Sequence, residues 1–359
     1  MVLIMSDLKT SARRLEEDDL KDLIIGCTFL GCGGGGSPEN GWKWIEGVLR
    51  KGYEIRLIGV ENLPKNVFTV SPYFVGPVEG LQRETLRPGC SGAQRVLGEK
   101  FGAVVPTELG GNSTAVALAT AAELEIPTID GDMAGRVVPE LHHSVYYLHG
   151  YKMTPFSIVT SGEDVLLVPR TVDDRRAELL VRAVVSAVGK VGVASHPFDA
   201  AISRRVLLRG TLSGAISIGR ALRSEEWESN LMELGGILLF RGVCTSLERR
   251  DEGGFTLGLM GLDGTGEFEG ENYEVLFKNE NLLGLRNGSV DVTVPDLITV
   301  LTPEGVPVVN SEVRLGKEYV VFGFSAPEVW RSPRGLELLG PRAFGFDVEY
   351  VPVTKGGLR

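Results

Sequence analysis

Leu15, Leu20, Leu23, Ile24 and Cys27 recur on one face within an acidic background, a spacing that predicts an amphipathic helix over residues 12–27. That helix runs into a glycine run, after which residues 38–51 read as a second helix with Pro38 in its first turn. Residues 53–60 carry Ile55 and Leu57 in alternation, as a strand does, and residues 67–75 read as another strand. Residues 102–106 are short, apolar and β-branched, and Glu108-Leu109-Gly110-Gly111 joins them to an alanine-rich stretch. The helix there should start near Asn112 or Ser113, both good caps, and end before Pro127, where Thr128-Ile129-Asp130 begins a further strand. Two strand-loop-helix units in succession predict a largely parallel α/β layer.

Beyond about residue 170 the pattern changes. Apart from a helix over residues 174–188, the segments are short β-rich runs at 237–244, 254–260, 273–278 and 319–323, separated by Gly, Pro, Asn and Asp. Strands at such intervals predict a barrel-like or sandwich-like second domain, with helical inserts around residues 213–222. The expected fold class is therefore α/β, with an α/β domain over residues 1–170 and a β-rich domain over residues 171–359.

Composition narrows the function. With 47 acidic and 37 basic side chains the net charge is −10, and no stretch gathers Lys and Arg into a stripe for successive phosphates, so nucleic acid is not an expected partner. Apolar runs such as Ile237-Leu238-Leu239-Phe240 fall far short of the roughly 20 residues of a membrane span. The opening five residues are too short for a signal-peptide core and are followed at once by charge, which places the chain in the cytoplasm. Cys27, Cys32, Cys90 and Cys244 form no C-x-x-C pair, and His142, His143, His149 and His196 form none of the common zinc signatures. A metal site would rest largely on carboxylates.

Three segments offer chemistry. Gly31-Cys32-Gly33-Gly34-Gly35-Gly36-Ser37-Pro38 can turn consecutive N–H groups toward one point at a helix N-terminus, which suits a carboxylate, phosphate or oxyanion. It would serve equally as a tight connection between helices. Glu108 and Asn112 lie at the carboxyl end of a predicted strand, where open α/β sheets place ligands, so Glu108 is a candidate base or metal ligand and Asn112 a donor or cap. Asp130, Asp132 and Arg136, with Glu140 beyond, can hold a divalent cation or form an acid/base pair. Arg136 could instead pair with a carboxylate and fix the loop. His142 and His143 follow, but neighbours in a regular element point apart, so at most one should face a site and ordinary packing is favoured. Cys32 is the one cysteine where helix-terminal dipoles would lower a thiol pKa, although no histidine adjoins it in sequence. Farther along, Arg209, Thr211 and Ser213 precede a helix, and Lys278-Asn279-Glu280-Asn281 ends a strand; either group could line an interdomain cleft or act as a cap or turn.

Taken together these segments resemble the S-methyl-thiohydantoin desulfurase family. The resemblance rests on the glycine run from Leu30 to Pro38, on Glu108-Leu109-Gly110-Gly111-Asn112, and on Asp130-Gly131-Asp132-Met133-Ala134-Gly135-Arg136 with Pro139-Glu140. It continues through Arg209-Gly210-Thr211-Leu212-Ser213, Phe277-Lys278-Asn279-Glu280, Val294-Pro295-Asp296-Leu297-Ile298, Trp330-Arg331-Ser332-Pro333-Arg334-Gly335-Leu336 and Gly340-Pro341-Arg342-Ala343-Phe344-Gly345-Phe346-Asp347. The resemblance implies a three-layer α/β domain, a barrel-like second domain and, for some members, hydrolytic release of methanethiol to give hydantoins. On that chemistry, and by residue type, Glu108, Asp130 and Asp132 would supply the base or bind a divalent metal. Gly33, Gly34, Gly35, Gly36 and Ser37 would contribute N–H donors, and Arg136 or Arg209 would bind the ring anion or a carboxylate. Asn112, Thr211, Asn279 and Glu280 would complete the substrate contacts. Relatives usually carry threonine where Cys32 stands, so a thiol is not a general requirement. The alternatives are hydrolysis of a cyclic amide and a non-catalytic ligand-binding or partner subunit of a hydantoinase-like or oxoprolinase-like enzyme. A homo-oligomer is the expectation for a metabolic enzyme of this size.

Overall fold

The first helix begins later than its apolar spacing suggests because Arg13–Arg14 form a short strand, β1, that pairs antiparallel with β2 (Arg56–Ile58). Helix α1 (Glu17–Leu30) then starts at a capping box between Glu16 and Asp19. The structure is a computed structural model and describes residues 8, 11–76, 86–252 and 255–354. Helix α2 (Pro38–Arg50) opens where expected, with the Ser37 hydroxyl accepting the Asn40 N–H. Helix α4 (Gly111–Glu123) starts ahead of Asn112 and Ser113, which are not caps: their N–H groups both donate to the carbonyl of Gly35. Helix α3 is Arg87–Leu97, and the short α5 is Val145–Leu148.

Eight strands form the first sheet, in the order β1, β2, β5 (Thr128–Ile129), β4 (Phe101–Val104), β3 (Phe68–Val75), β9 (Val191–Ser195), β7 (Phe156–Val159) and β8 (Val165–Val168). Only β2, β5, β4 and β3 are parallel to one another; β1 and the β9-β7-β8 side are antiparallel. The parallel part is thus half the sheet, and β9 joins it from beyond residue 170. Alternation along β7 places Ser157 and Val159 under α3 and Phe156 and Ile158 in the core beneath α6 (Asp174–Val188), so helices cover both faces. Asp173 caps α6 by accepting the Arg176 N–H.

The second sheet is antiparallel, in the order β15 (Ser289–Thr293), β14 (Glu280–Arg286), β13 (Asn272–Lys278), β12 (Phe255–Gly264), β11 (Ile237–Glu252), β17 (Glu318–Phe324) and β16 (Leu297–Leu301). The run expected over 254–260 is β12, with Gly254 outside the described residues. This sheet curls into a half-barrel. Where its ends approach, the Asn281 side chain donates to the Ile298 carbonyl at 2.9 Å, linking β14 to β16. Leu239, Phe240, Met260, Tyr273, Val300 and Val321 are among the side chains that fill the curl. Two short strands, β6 (Gly131–Asp132) and β10 (Leu208–Arg209), pair separately.

The two parts share one apolar core. Helix α1 crosses a long helix at residues 211–222 so closely that Cβ atoms at Gly26 and Gly219 would each stand 1.8 Å from a backbone oxygen of the partner. The end of α1 meets the half-barrel, where Thr299 Oγ1 donates to the Phe29 carbonyl at 2.7 Å. Arg136 bolts the seam. It is 1% exposed, and its guanidinium donates to the carbonyls of Val137 (3.1 Å), Pro295 (3.1 Å), Asp296 (3.0 Å) and Asn281 (2.9 Å). Among the described residues no helix is long and apolar enough to cross a membrane.

An ammonium cannot span four carbonyls as the guanidinium fork does. Arg136→Lys should therefore lower the unfolding free energy by about 2 kcal/mol, the cost of leaving buried acceptors unpaired. Urea unfolding of the full chain measures it, and an unchanged midpoint would remove Arg136 from the seam.

Candidate functional site

The glycine run leaves α1 and lies between parts of the chain that are far apart in sequence. Gly33 has φ +87°, and a Cβ there would stand 2.5 Å from the Asn310 side chain. At Gly34 a Cβ would stand 2.3 Å from Glu280 Oε1. Gly35 packs on Gly110 and Val137, and Gly36 on the Asn112 side chain. The loop carbonyls are held: Cys32 O accepts from Asn281 N at 2.7 Å, Gly33 O from Asn310 N at 2.8 Å, and Gly35 O from Asn112 N at 3.0 Å. No acceptor among the described residues takes the N–H of Gly33, Gly35 or Gly36. Gly35, Gly36 and Ser37 are half-buried, so the donors of this stretch border solvent.

Two electrostatically coupled carboxyls follow, one of them directly against this loop. Glu108, in the loop after β4, is half-buried and accepts the Val138 N–H at 3.1 Å. Burial pushes its pKa up to about 7, against the bond from Val138 and the polarity of the nearby Ser113 hydroxyl, and the like charge of Asp132 adds to the rise. Glu280, at the start of β14, is 2% exposed and one of its oxygens has no partner. Burial first, and Glu108 second, hold its carboxyl well above the ordinary range, although Arg136 pulls the other way. The two groups are electrostatically coupled and differ in environment. Both carboxyls are thereby pushed toward the protonated form, Glu108 to about 7, and Glu280 sits in the drier surroundings.

Asp132 stands behind this pair. Its Oδ2 accepts the N–H groups of Ala134 at 2.9 Å and Gly135 at 2.7 Å, while Oδ1 is buried without a partner, as is the hydroxyl of Thr211. Burial raises Asp132 to about 6. Asn112 presents a buried, unpartnered Oδ1 on the Gly36 side of the loop.

Several expected site residues act otherwise. Asp130 accepts from Ser213 N at 3.0 Å and Ser213 Oγ at 2.5 Å, tying down the start of the 211–222 helix, so both its oxygens are engaged in structure. Arg136 faces carbonyls at the seam rather than a ligand anion. Arg209 is exposed and donates to the Arg204 carbonyl. Asn279, with φ +57°, turns the chain between β13 and β14, and its Oδ1 accepts the Thr256 N–H at 2.9 Å. Ser37 is the cap of α2. Among the described residues, Glu108, Asp130 and Asp132 do not bring three ligand atoms within 4.8 Å of one another. Cys32 is fully buried and donates to the Leu30 carbonyl at 3.4 Å; burial raises its pKa, the reverse of the dipole expectation.

His142 and His143 also depart from expectation. They lie in a turn closed by His143 N donating to the Glu140 carbonyl at 3.1 Å, not in a regular element, and their rings come together with centroids 4.3 Å apart. Asn310 and the Val138 N–H were not foreseen. Asn310 sits in a polar segment that reads as an ordinary turn, and nothing local marks its contact with a loop nearly 280 residues earlier.

A model of the S-Me-THD-like N-terminal domain matches residues 18–170, and one of the S-Me-THD-like C-terminal domain matches residues 172–353. Among solved structures, the chain is similar to the X-ray crystal structure of a protein from Chromobacterium violaceum, with a TM-score of 0.79 and 25% identity. That similarity covers 95% of this chain and 100% of the other. No curated protein matches the chain.

A carboxyl whose folded pKa lies above its unfolded value binds its proton more tightly in the native state. Glu108 thus stabilises the fold below about pH 4.5, and that contribution is lost as pH rises through about 7. Glu108→Gln should gain stability over the wild type as pH goes from 5 to 8, the gap widening by about 1 kcal/mol or more. Paired denaturant titrations across that range measure it; a constant gap would mean Glu108 titrates as an ordinary carboxyl.

Proposed function

The chain belongs to the S-Me-THD-like family, and from this premise we propose that it is a hydrolase that adds water to a ring carbon of an S-methyl-thiohydantoin or hydantoin-type heterocycle and expels a thiol. The observation that carries this reading is a coupled pair of carboxyls, Glu280 against Gly34 and Glu108 beside the Val138 N–H, both pushed toward the protonated form and Glu108 to about 7.

In this reaction water attacks the carbon bearing the S-methyl group, the C–S bond breaks, and the ring carbon becomes a carbonyl. Glu108 takes the water proton, as a base with a pKa near the working pH does best. The unpaired N–H groups of Gly35 and Gly36 face the negative charge that develops on the ring during attack. Glu280 supplies a proton to the departing methanethiolate, so that a neutral thiol leaves. The hydroxyl proton of the added water passes to the ring nitrogen as the carbonyl forms, and the proton held by Glu108 restores Glu280. Asn112 Oδ1 is an acceptor for a ring N–H. Asp132 positions the pair through its field on Glu108 and its bonds to the 134–135 backbone.

The full chain incubated with S-methyl-thiohydantoins should release thiol, read with a chromogenic disulfide reagent, with kcat/KM rising with pH and levelling above about 7. Glu108→Gln should lower kcat at least about 100-fold with little change in KM. Gly34→Ala, whose Cβ would displace Glu280, should lower kcat as well. Ring opening without thiol release would move the reaction to a C–N bond, and activity that survives Glu108→Gln at every pH would overturn the assignment of the base.

A further inference from the structure

A second group of side chains, none of them used by the reaction above, converges at the 140–143 turn. The turn at residues 140–143 brings Glu140, His142 and His143 to one place, with one ligand atom from each lying within 4.8 Å of the others. The two imidazoles are 6% and 3% exposed, and the Nδ1 atom of each is buried without a hydrogen-bond partner. Such pairs of unsatisfied buried nitrogens are uncommon unless something binds them. The nearest carboxylate oxygens, Glu140 Oε2 at 3.6 Å and Glu178 Oε2 at 3.8 Å from His142 Nδ1, stand too far for a hydrogen bond.

We propose that Glu140, His142 and His143 bind a divalent transition-metal ion of the zinc class. Two imidazole nitrogens and one carboxylate are the borderline donors such ions take, and the nitrogens disfavour calcium or magnesium. The carboxylate partners are arranged accordingly. Lys278 Nζ holds Glu140 Oε1 at 2.8 Å, which leaves Oε2 toward the histidines. Glu178 is fixed by Arg182 Nε at 2.8 Å and by the Leu141 N–H at 3.0 Å, so its carboxylate borders His142 as an orienting group. Three protein ligands leave a fourth position for water or another small donor. Of the cations around the cluster, Lys278 and Arg182 are each paired with one of these carboxylates, and Arg136 is spent on four carbonyls at the seam.

The test uses the full chain stripped with a chelator and titrated with Zn²⁺ alone by calorimetry and with Co²⁺ alone by visible ligand-field absorption. One equivalent should bind, and Co²⁺ should give nitrogen-ligated bands. Loss of an orienting partner typically weakens a metal site about 10- to 100-fold, so Glu178→Gln should fall in that range and His143→Ala below it. Should His143→Ala unfold, Glu140→Gln, at a half-buried turn position, carries the same prediction. Absence of stoichiometric binding by the wild type, or equal affinity in the folded variants, would overturn the site. Neither readout depends on catalysis, so the result is independent of the hydrolase reading.

Discussion

The seam of this protein depends on a stretch of chain that has no side chains. Because the glycine loop after α1 presents bare backbone, the start of α4, the turn before β14 and Asn310 can all press against it at once. Any residue with a Cβ at Gly34 would push Glu280 away. Close approach also shuts water out, and the exclusion of water is what raises the Glu280 carboxyl so far. The chemistry of the site thus follows from a steric fact about four adjacent residues.

Hydrogen-bond donors then separate the charged groups into two kinds. Asp296 receives the Ala326 and Val353 N–H groups and the Tyr350 hydroxyl, and Asp130 receives two donors from Ser213. Arg136 meets four carbonyls. These groups are saturated and hold the fold. Glu280 and Asp132 are buried, and Glu108 half-buried, with fewer donors than their oxygens can accept, and in a low dielectric that deficit favours the proton. A saturated ion is a fastener, whereas an unsaturated one can exchange a proton with a ligand.

The strongest periodic elements were legible in the chain. Helix α2, helix α6 and the half-barrel strands β12, β13 and β17 appear close to where the sequence places them, while β11 runs on to Glu252 and β14, β15 and β16 lie outside the runs that read as strands. Family membership was legible too, since the motifs run in order along nearly the whole length. Elements set by distant partners were not. Arg13–Arg14 became a strand because β2 offered an edge, and α4 began early because a carbonyl of the glycine loop satisfies its first N–H groups. Likewise β9 pairs antiparallel with β3, a choice made by the sheet and not by its own residues.

What the sequence by itself determined is the inventory: a glycine loop before a helix, acidic residues at strand ends, an α/β half and a β-rich half. It also placed Glu108 and Glu280 among the residues of interest. Only the tertiary structure decided their roles, because a carboxylate's function is set by what surrounds it and those neighbours come from anywhere in the chain. Asp130 and Asp132 are two residues apart, yet one is sealed by a serine from residue 213 and the other keeps an open oxygen. Adjacent histidines that regular geometry would separate are brought together by a turn. Residue type states what a side chain can do; burial and hydrogen-bond count decide what it does.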